Sequence, residues 1–225
     1  AEGVRELLAP DGVFVFEVSY LADVVEKLLF DTIYHEHLAY HAVAPLRGFF
    51  ERLGLELFDA ARVDAHGGSL RGFVQRRGGP RRGTAIEGLL ALEAGSKLGD
   101  PATYRDFGRR IDARKAELAG LLQHLKAEGR RVAGFGAPAK ATTLLHHFEL
   151  GGALEFIADD SPWKQGLFTP GHHIPVLPAS AVYEKRPDHL LILAWNFAEA
   201  IMTKHKAFRD QGGGFIVPLP ALEVR

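Results

Sequence analysis

The fold is decided by the stretch RVAGFGAPAKATT, residues 131–143, where a short apolar run ends in glycines and a proline and continues into residues of helical composition. Such a change predicts a strand that turns directly into a helix. Apolar runs then alternate with helical segments to Val217. The later runs cover residues 154–158, 174–177, 189–194 and 215–217. This alternation predicts a parallel sheet with covering helices, and therefore a Rossmann-like α/β domain over residues 130–225.

The first 80 residues predict a second α/β arrangement. A helical stretch and a turn precede an apolar run at 13–18, whose nearly unbroken apolar character suits a strand covered on both faces. Two later runs joined by a short loop predict an antiparallel strand pair. The predicted helices are 3–8 and 45–53, and the paired strands are 55–63 and 69–76. The glycine- and arginine-rich stretch 78–83 is the clearest boundary, and helices within 81–129 are expected to bridge the two domains.

Composition narrows the classes of function. The formal net charge is −1, so no global charge favours nucleic acid or an anionic membrane as a partner. The chain has no cysteine, which excludes thiol catalysis, disulfides and cysteine-ligated zinc. No apolar run approaches the ~20 residues of a membrane span. The simplest interpretation is a soluble cytoplasmic protein of open oligomeric state. Residues 1–8 read as the middle of a helix without a cap, so the chain is expected to be the C-terminal part of something longer.

Residues 30–41, FDTIYHEHLAYH, concentrate three histidines, a glutamate and two tyrosines in one short segment. The zinc-protease pattern His-Glu-x-x-His would need a histidine at position 39, where this chain has Ala39. His37 and His41, four apart, would make only a minimal metal site, so no metal is expected. A cluster that moves a proton, with one histidine as base and Glu36 or a tyrosine orienting it, is favoured. Histidines satisfied by packing remain the alternative.

Three loops offer further candidates. In His66-Gly67-Gly68-Ser69, paired glycines indicate either close approach to a ligand or only a turn. Lys140 adds positive charge near the start of the helix that follows residue 138, a suitable place for a phosphate. The polar stretch 159–166, which contains Lys164, follows the next predicted strand. The stretch PGHH at 170–173 lies just beyond it, so two polar loops are expected to converge at one edge of the sheet, although a solvated surface loop is the alternative.

These segments, in this order, resemble the C-terminal portion of the S-adenosylmethionine-dependent sugar C-methyltransferases. The matching motifs are FDTIYHEH at 30–37, HGGSLR at 66–71, GFGAPAKAT at 134–142 and DDSPWKQG at 159–166. Members of this family carry an N-terminal cysteine-ligated zinc module, a class I methyltransferase domain and a C-terminal Rossmann-like domain. The resemblance implies that residues 13–18 and 55–76 form the last strands of the methyltransferase sheet. The zinc module and the glycine-rich cradle for S-adenosylmethionine lie outside this chain, so the isolated fragment is expected to be inactive.

The resemblance also implies an activity, namely methylation of a carbon beside the ketone of a nucleotide-linked keto-deoxysugar. It assigns His37 as the base that removes the proton, with Tyr34 and Glu36 placing the histidine or the substrate. The implied substrate contacts are His35, His66, Gly67, Ser69, Lys140 and Lys164. The alternative function is a nucleotide-binding module or an NAD(P)-dependent sugar-nucleotide enzyme in which the histidines are structural.

Overall fold

A computed structural model describes residues 1–65 and 67–225 of the chain. Contacts between Cα atoms divide it into two compact units. The first unit comprises residues 1–29 and 37–108, and the second comprises residues 30–36 and 109–225. Most of the candidate catalytic segment, residues 30–36, therefore belongs to the second unit although its sequence neighbours belong to the first.

The first unit contains four complete helices, the start of a fifth and three strands among its described residues. The helices are α1 (Glu2–Leu7), α2 (Leu21–Glu26), α3 (Val43–Arg52) and α4 (Ala85–Gly95). The strands are β1 (Phe14–Ser19), β2 (Leu55–Val63) and β3 (Ser69–Arg76). They form an antiparallel sheet in the order β1-β3-β2. A core that includes Tyr20, Phe50 and Leu70 lies between this sheet and the helices. The predicted antiparallel pair has the same bounds as β2 and β3.

One prediction for β1 is wrong. Its apolar composition indicated cover on both faces, but Val15 is 50 % exposed and Glu17 is also exposed. β1 pairs only with β3 among the described strands, and no described element covers the face that carries these two residues. The opposite face, with Phe14 and Phe16, packs against the core. The strand is therefore half covered, at the edge of its sheet.

The second unit is built on a six-stranded sheet. Its strands are β4 (Val132–Phe135), β5 (Ile157–Asp159), β6 (Val176–Pro178), β7 (His189–Ile192), β8 (Gly214–Val217) and β9 (Glu223–Val224). The order is β6-β5-β4-β7-β8-β9, parallel except for the last pair. The α-helices that lie wholly within it are α6 (Ala139–His147), α7 (Ala181–Lys185), α8 (Ala198–Lys204) and α9 (Lys206–Asp210). The central strands are mostly apolar, and Leu190, Leu191 and Ile192 of β7 have no exposed surface. The predicted Rossmann-like α/β domain is confirmed.

The observed division differs from three consecutive segments of 1–80, 81–129 and 130–225. α4 packs within the first unit, against α3 and β2. The long helix α5 (Pro101–Ala127) contains the boundary, which falls between Gly108 and Arg109. Pro101 suits a helix start, where its missing N–H costs nothing. The two units therefore share α5.

Candidate functional site

Parallel sheets place ligands where the strand order reverses, beyond the C-terminal ends of the strands. In the second unit this switch point lies between β4 and β7, because the chain continues from β4 to β5 on one side and returns to β7 on the other. The loop after β4 leads to Lys140, and the loop after β7 leads to Trp195. These two side chains are therefore placed where an α/β sheet would bind a ligand.

The group at this switch point is the chain's own Asp31. Its side chain is fully buried within the 3-10 turn Phe30–Thr32. The Trp195 indole N–H donates a 2.7 Å hydrogen bond to Oδ2 of Asp31, and the Lys140 ammonium lies 3.5 Å from the same oxygen. Lys140 Nζ also lies 4.4 Å from the centroid of the Trp195 ring, which is a cation–π distance. The switch point is thus occupied by an internal carboxylate.

Burial sets the electrostatics of this pair. It raises the pKa of the Asp31 carboxyl, against the opposing pull of Lys140 and the Trp195 hydrogen bond. It lowers the pKa of the Lys140 ammonium, against the opposing pull of Asp31. Both groups are displaced toward their neutral forms, so desolvation outweighs their mutual attraction. Sequence analysis placed Lys140 against a substrate phosphate, which stays a prediction. In this structure its charge already has an internal partner.

The candidate catalytic residues follow Asp31 directly. Tyr34 is half-buried with its ring edge toward that of His35, at a centroid distance of 6.0 Å, and His35 and Glu36 are exposed. His37 belongs to the first unit, where its ring lies 6.4 Å from that of Tyr40 and its Nδ1 is shielded from solvent. His37 and His41 do not share a helix, because residues 33–41 form turns and extended chain. In the part of the chain that the structure describes, no three histidines or carboxylates are grouped to hold a metal.

The glycine loop of the first unit is held by a buried carboxylate. Asp23 is fully buried and pairs with Arg62 at 2.8 Å and with Lys27 at 2.8 Å. Lys27 also donates to the carbonyl of Gly67 at 2.9 Å. Ser69 is buried and its hydroxyl donates to the carbonyl of Ala65 at 3.1 Å. The substrate roles of Gly67 and Ser69 stay predictions, and His66 lies outside the described residues.

Two polar loops of the second unit, those after β4 and β5, meet at the carboxylate of Asp159. Asp159, at the end of β5, accepts hydrogen bonds from the backbone N–H of Ala137 at 2.6 Å and of Ser161 at 2.7 Å. Lys164 Nζ lies 3.5 Å from the same carboxylate, and its side chain is 41 % exposed. Asp159 therefore fixes the loop after β4 to the loop after β5. The role of Lys164 as a substrate contact is likewise untested by these distances.

Sequence reasoning missed the roles of Asp31 and Trp195. Asp31 lies at the start of the histidine-rich motif, but the sequence analysis assigned chemical roles only to the titratable residues that follow it. Trp195 follows the apolar run of β7, and no role was predicted for it. The available signal was its place just beyond the end of a central parallel strand, where such sheets carry functional side chains.

Comparison with known proteins agrees with this architecture. A family model described as the C-methyltransferase C-terminal domain matches residues 64–220. This chain belongs to that family. It is also 38 % identical over 220 residues to the C-methyltransferase NovU of Streptomyces niveus, covering 97 % of this chain and 52 % of that protein. This C-methyltransferase domain thus spans about half the length of the relative it matches. In the described residues, no helix is both long and apolar enough to cross a membrane.

Membership of a methyltransferase family implies S-adenosylmethionine as the methyl donor. The described residues of this C-methyltransferase domain do not fit that molecule. The glycine turn after β4 is filled by protein, because a Cβ on Gly136, whose φ is +88°, would lie 2.7 Å from Cβ of Ala194. The neighbouring switch point holds Asp31. The first unit contains only antiparallel strands, without a glycine-rich turn from strand to helix. Neither the turn after β4 nor the switch point therefore forms a donor cradle.

Proposed function

We propose that this chain is the substrate-side portion of a methyltransferase that methylates a carbon beside the ketone of a nucleotide-linked keto-deoxysugar. Membership of the C-methyltransferase family supports methylation of carbon as the reaction. The sugar-nucleotide substrate rests on the similarity of residues 30–37, 66–71, 134–142 and 159–166 to the sugar C-methyltransferases. The residues that bind the methyl donor are proposed to lie in the half of the protein that this chain does not span.

The chemistry assigned to this chain is a proton transfer. Forming a carbon–carbon bond requires a carbon nucleophile, and a carbon beside a ketone becomes one when a base removes its proton. His37 is the proposed base, since histidine accepts a proton near neutral pH. The C–H bond breaks, its proton moves to the imidazole, and the electron pair is delocalised onto the ketone oxygen as an enolate. Tyr34 and Glu36 are proposed to orient the substrate or the histidine.

No observation in the described residues favours the alternative of a nucleotide-binding or NAD(P)-dependent module. Its natural site would be the switch point between β4 and β7. That place holds the buried carboxylate of Asp31, bonded to side chains from both loops. The alternative is tested by calorimetric titration with NAD(P) against a thymidine diphosphate sugar. Tight binding of the dinucleotide alone would favour it.

The assignment of the base is tested by measuring exchange of the substrate proton with solvent, catalysed by the protein at its full natural length. In heavy water the enzyme should incorporate deuterium at the carbon beside the ketone of a keto-deoxysugar nucleotide. His37→Gln should lower that exchange and methyl transfer together by about 100- to 10,000-fold, the usual contribution of a general base.

The matched control is His124→Gln, since His124 is an exposed histidine on α5 that pairs with Glu128. It should leave both rates unchanged. Undiminished exchange in His37→Gln would refute the assignment of the base. Absence of methylation by the unaltered protein would refute the substrate class.

A further inference from the structure

The segment of residues 30–36 has little regular structure of its own. It contains one 3-10 turn, Phe30–Thr32, followed by bends and turns. Its backbone bonds in this stretch are local, such as Ile33 N–H to the Phe30 carbonyl at 2.9 Å. A segment of this kind is fixed by what its side chains touch rather than by a helix or a sheet ladder.

Its side chains and backbone are bound to the second unit along α6 and at the switch point. Phe30 stacks on Phe148, with ring centroids 5.1 Å apart and planes at 24°. The Thr143 hydroxyl donates to the carbonyl of Ile33 at 3.4 Å. Between them Asp31 accepts from Trp195 and pairs with Lys140. Every one of these partners lies more than 100 residues later in the chain.

The contact between Asp31 and Lys140 has a high desolvation cost, so it is a poor source of stability. Both charges are withdrawn from water, and Oδ1 of Asp31 is buried with no hydrogen-bond partner in the structure. Buried ion pairs of this kind seldom add net stability compared with apolar residues of similar volume. What such a pair does supply is direction, because the N–H···O angle at the indole donor prefers values above about 150°. The arrangement is therefore better suited to fixing a position than to strengthening a core.

We propose that Asp31, Lys140 and Trp195 are positioning residues for the methyl-transfer reaction. An α/β sheet ordinarily binds a ligand at its switch point. In the second unit these residues instead bind the turn Phe30–Thr32, which precedes Tyr34 and Glu36. The Rossmann-like unit then contributes to catalysis by orienting two groups that follow Asp31 by three and five residues. This role rests on the proposed function, since it concerns the same residues.

The first experiment measures position and needs no activity. Hydrogen exchange of the amides of residues 30–36 should quicken in Asp31→Leu and Trp195→Phe, while the amides of β4 and β7 keep their protection. A second signal comes from fluorescence, because Trp163 is exposed and Trp195 is only 7 % exposed. In a Trp163→Phe background, the quenching of Trp195 by acrylamide should rise when Asp31 is replaced by leucine.

The second experiment measures catalysis in the protein at its full natural length. Asp31→Asn keeps the shape and an acceptor for Trp195 but removes the charge that faces Lys140. It should lower kcat by about ten- to a hundred-fold, as misplacement of reacting groups by about 1 Å does, with the KM for the methyl donor unchanged. Asp31→Leu should lower kcat further. The double variant Asp31→Leu/Lys140→Met should recover part of the loss, because no buried charge is then left unpaired.

Two controls separate position from stability. Lys204→Met removes a lysine that pairs with Asp160 at the surface of the same unit. Ile216→Val thins the buried core of β8. Both should leave kcat and exchange at residues 30–36 unchanged. If the Asp31 and Trp195 variants changed neither exchange nor kcat, or lost activity only in proportion to lost stability, the proposal would be overturned. If the variants speed hydrogen exchange but the unaltered protein methylates no keto-sugar, Asp31, Lys140 and Trp195 hold residues 30–36 in place and the proposed function is refuted.

Discussion

Gly68 lies where the backbone of the first unit passes closest to the buried carboxylate of Asp23. Its φ is +152°, and a Cβ placed there would lie 2.4 Å from Cβ and Cγ of Asp23. Asp23 has no room to move, because Arg62 and Lys27 hold its carboxylate. Only glycine fits between this network and the loop that carries Ser69.

Gly68→Ala should therefore lower the free energy of unfolding of the first unit by about 2–4 kcal/mol, through backbone strain and overpacking. Hydrogen exchange of the β3 amides, residues 69–76, reports this unit separately from the second. The matched control is Gly88→Ala in α4, where an added Cβ meets nothing within 4 Å. It should raise stability by about 0.5–1 kcal/mol, since alanine favours a helix over glycine. Equal behaviour of the two variants would contradict the role given to Asp23.

The sequence predicted the glycine loop but not this reason for it. Paired glycines between two strands indicated a turn or a close approach of ligand about equally. The atom that excludes a side chain belongs to Asp23, 45 residues earlier, in a helix that carried no chemical signal. Local patterns cannot reveal a contact of this range, because they record propensity and not packing.

Among the elements, α3 is capped by a side chain from another helix. Ala42 precedes it and offers no side-chain acceptor. Glu93 of α4 instead accepts hydrogen bonds from the N–H of Val43 at 2.6 Å and of Ala44 at 3.0 Å. The same carboxylate accepts from the Tyr20 hydroxyl at 3.0 Å. Burial, and then the charge of Glu93, raise the pKa of Tyr20, so its hydroxyl remains a donor.

Glu93→Gln should destabilise the first unit by about 1–3 kcal/mol, because one of the two oxygens becomes an NH₂ group facing a buried donor. Glu87→Gln on the same helix is the control, since Glu87 is 85 % exposed and its carboxylate lies 3.4 Å from Arg47. Denaturant unfolding followed by circular dichroism compares the two. A Glu93 variant as stable as the Glu87 variant would show that α3 does not depend on this cap.

The sequence predicted that α3 is a helix but placed its N-terminal start two residues too late. The pattern of Leu46, Phe50 and their neighbours indicated a helix from Pro45, but α3 begins at Val43. The two added residues are those whose N–H groups Glu93 accepts. Their helical state depends on a partner 50 residues away, which apolar periodicity does not record.

On the scale of the whole molecule, β1 leaves an apolar strand edge open among the described residues. It pairs only with β3, and Val15 is 50 % exposed. Unpaired N–H and C=O groups beside apolar side chains promote pairing with other chains. The 225-residue chain should therefore self-associate through this edge.

Val15→Lys should shift the chain toward the monomer in sedimentation velocity, because a charge on an edge strand opposes pairing. Leu167→Lys is the control, as it removes an equally exposed apolar side chain from a loop of the second unit. It should leave self-association unchanged. A monomeric unaltered chain at high concentration would refute the open edge.

The Rossmann-like fold class and the antiparallel pair of β2 and β3 followed from the sequence, because they depend on local periodicity, on short loops and on the alternation of strands with helices. The unit to which residues 30–36 belong did not. Their partners include Trp195, 164 residues from Asp31, and no local pattern connects those positions. Sequence reasoning therefore found the histidine-rich segment and its neighbours but not what holds it.

Because residues 30–36 pack with the second unit, that unit is not a continuous stretch of sequence. Recombination between relatives at one crossover, whether in a glycine-rich linker or within α5, would separate Asp31 from Lys140 and Trp195. A functional chimera would have to inherit two pieces from one parent, the short turn and the distant sheet. Domain shuffling among relatives is thus constrained by seven residues, 30–36, which belong to the second unit but are separated from the rest of it in the sequence.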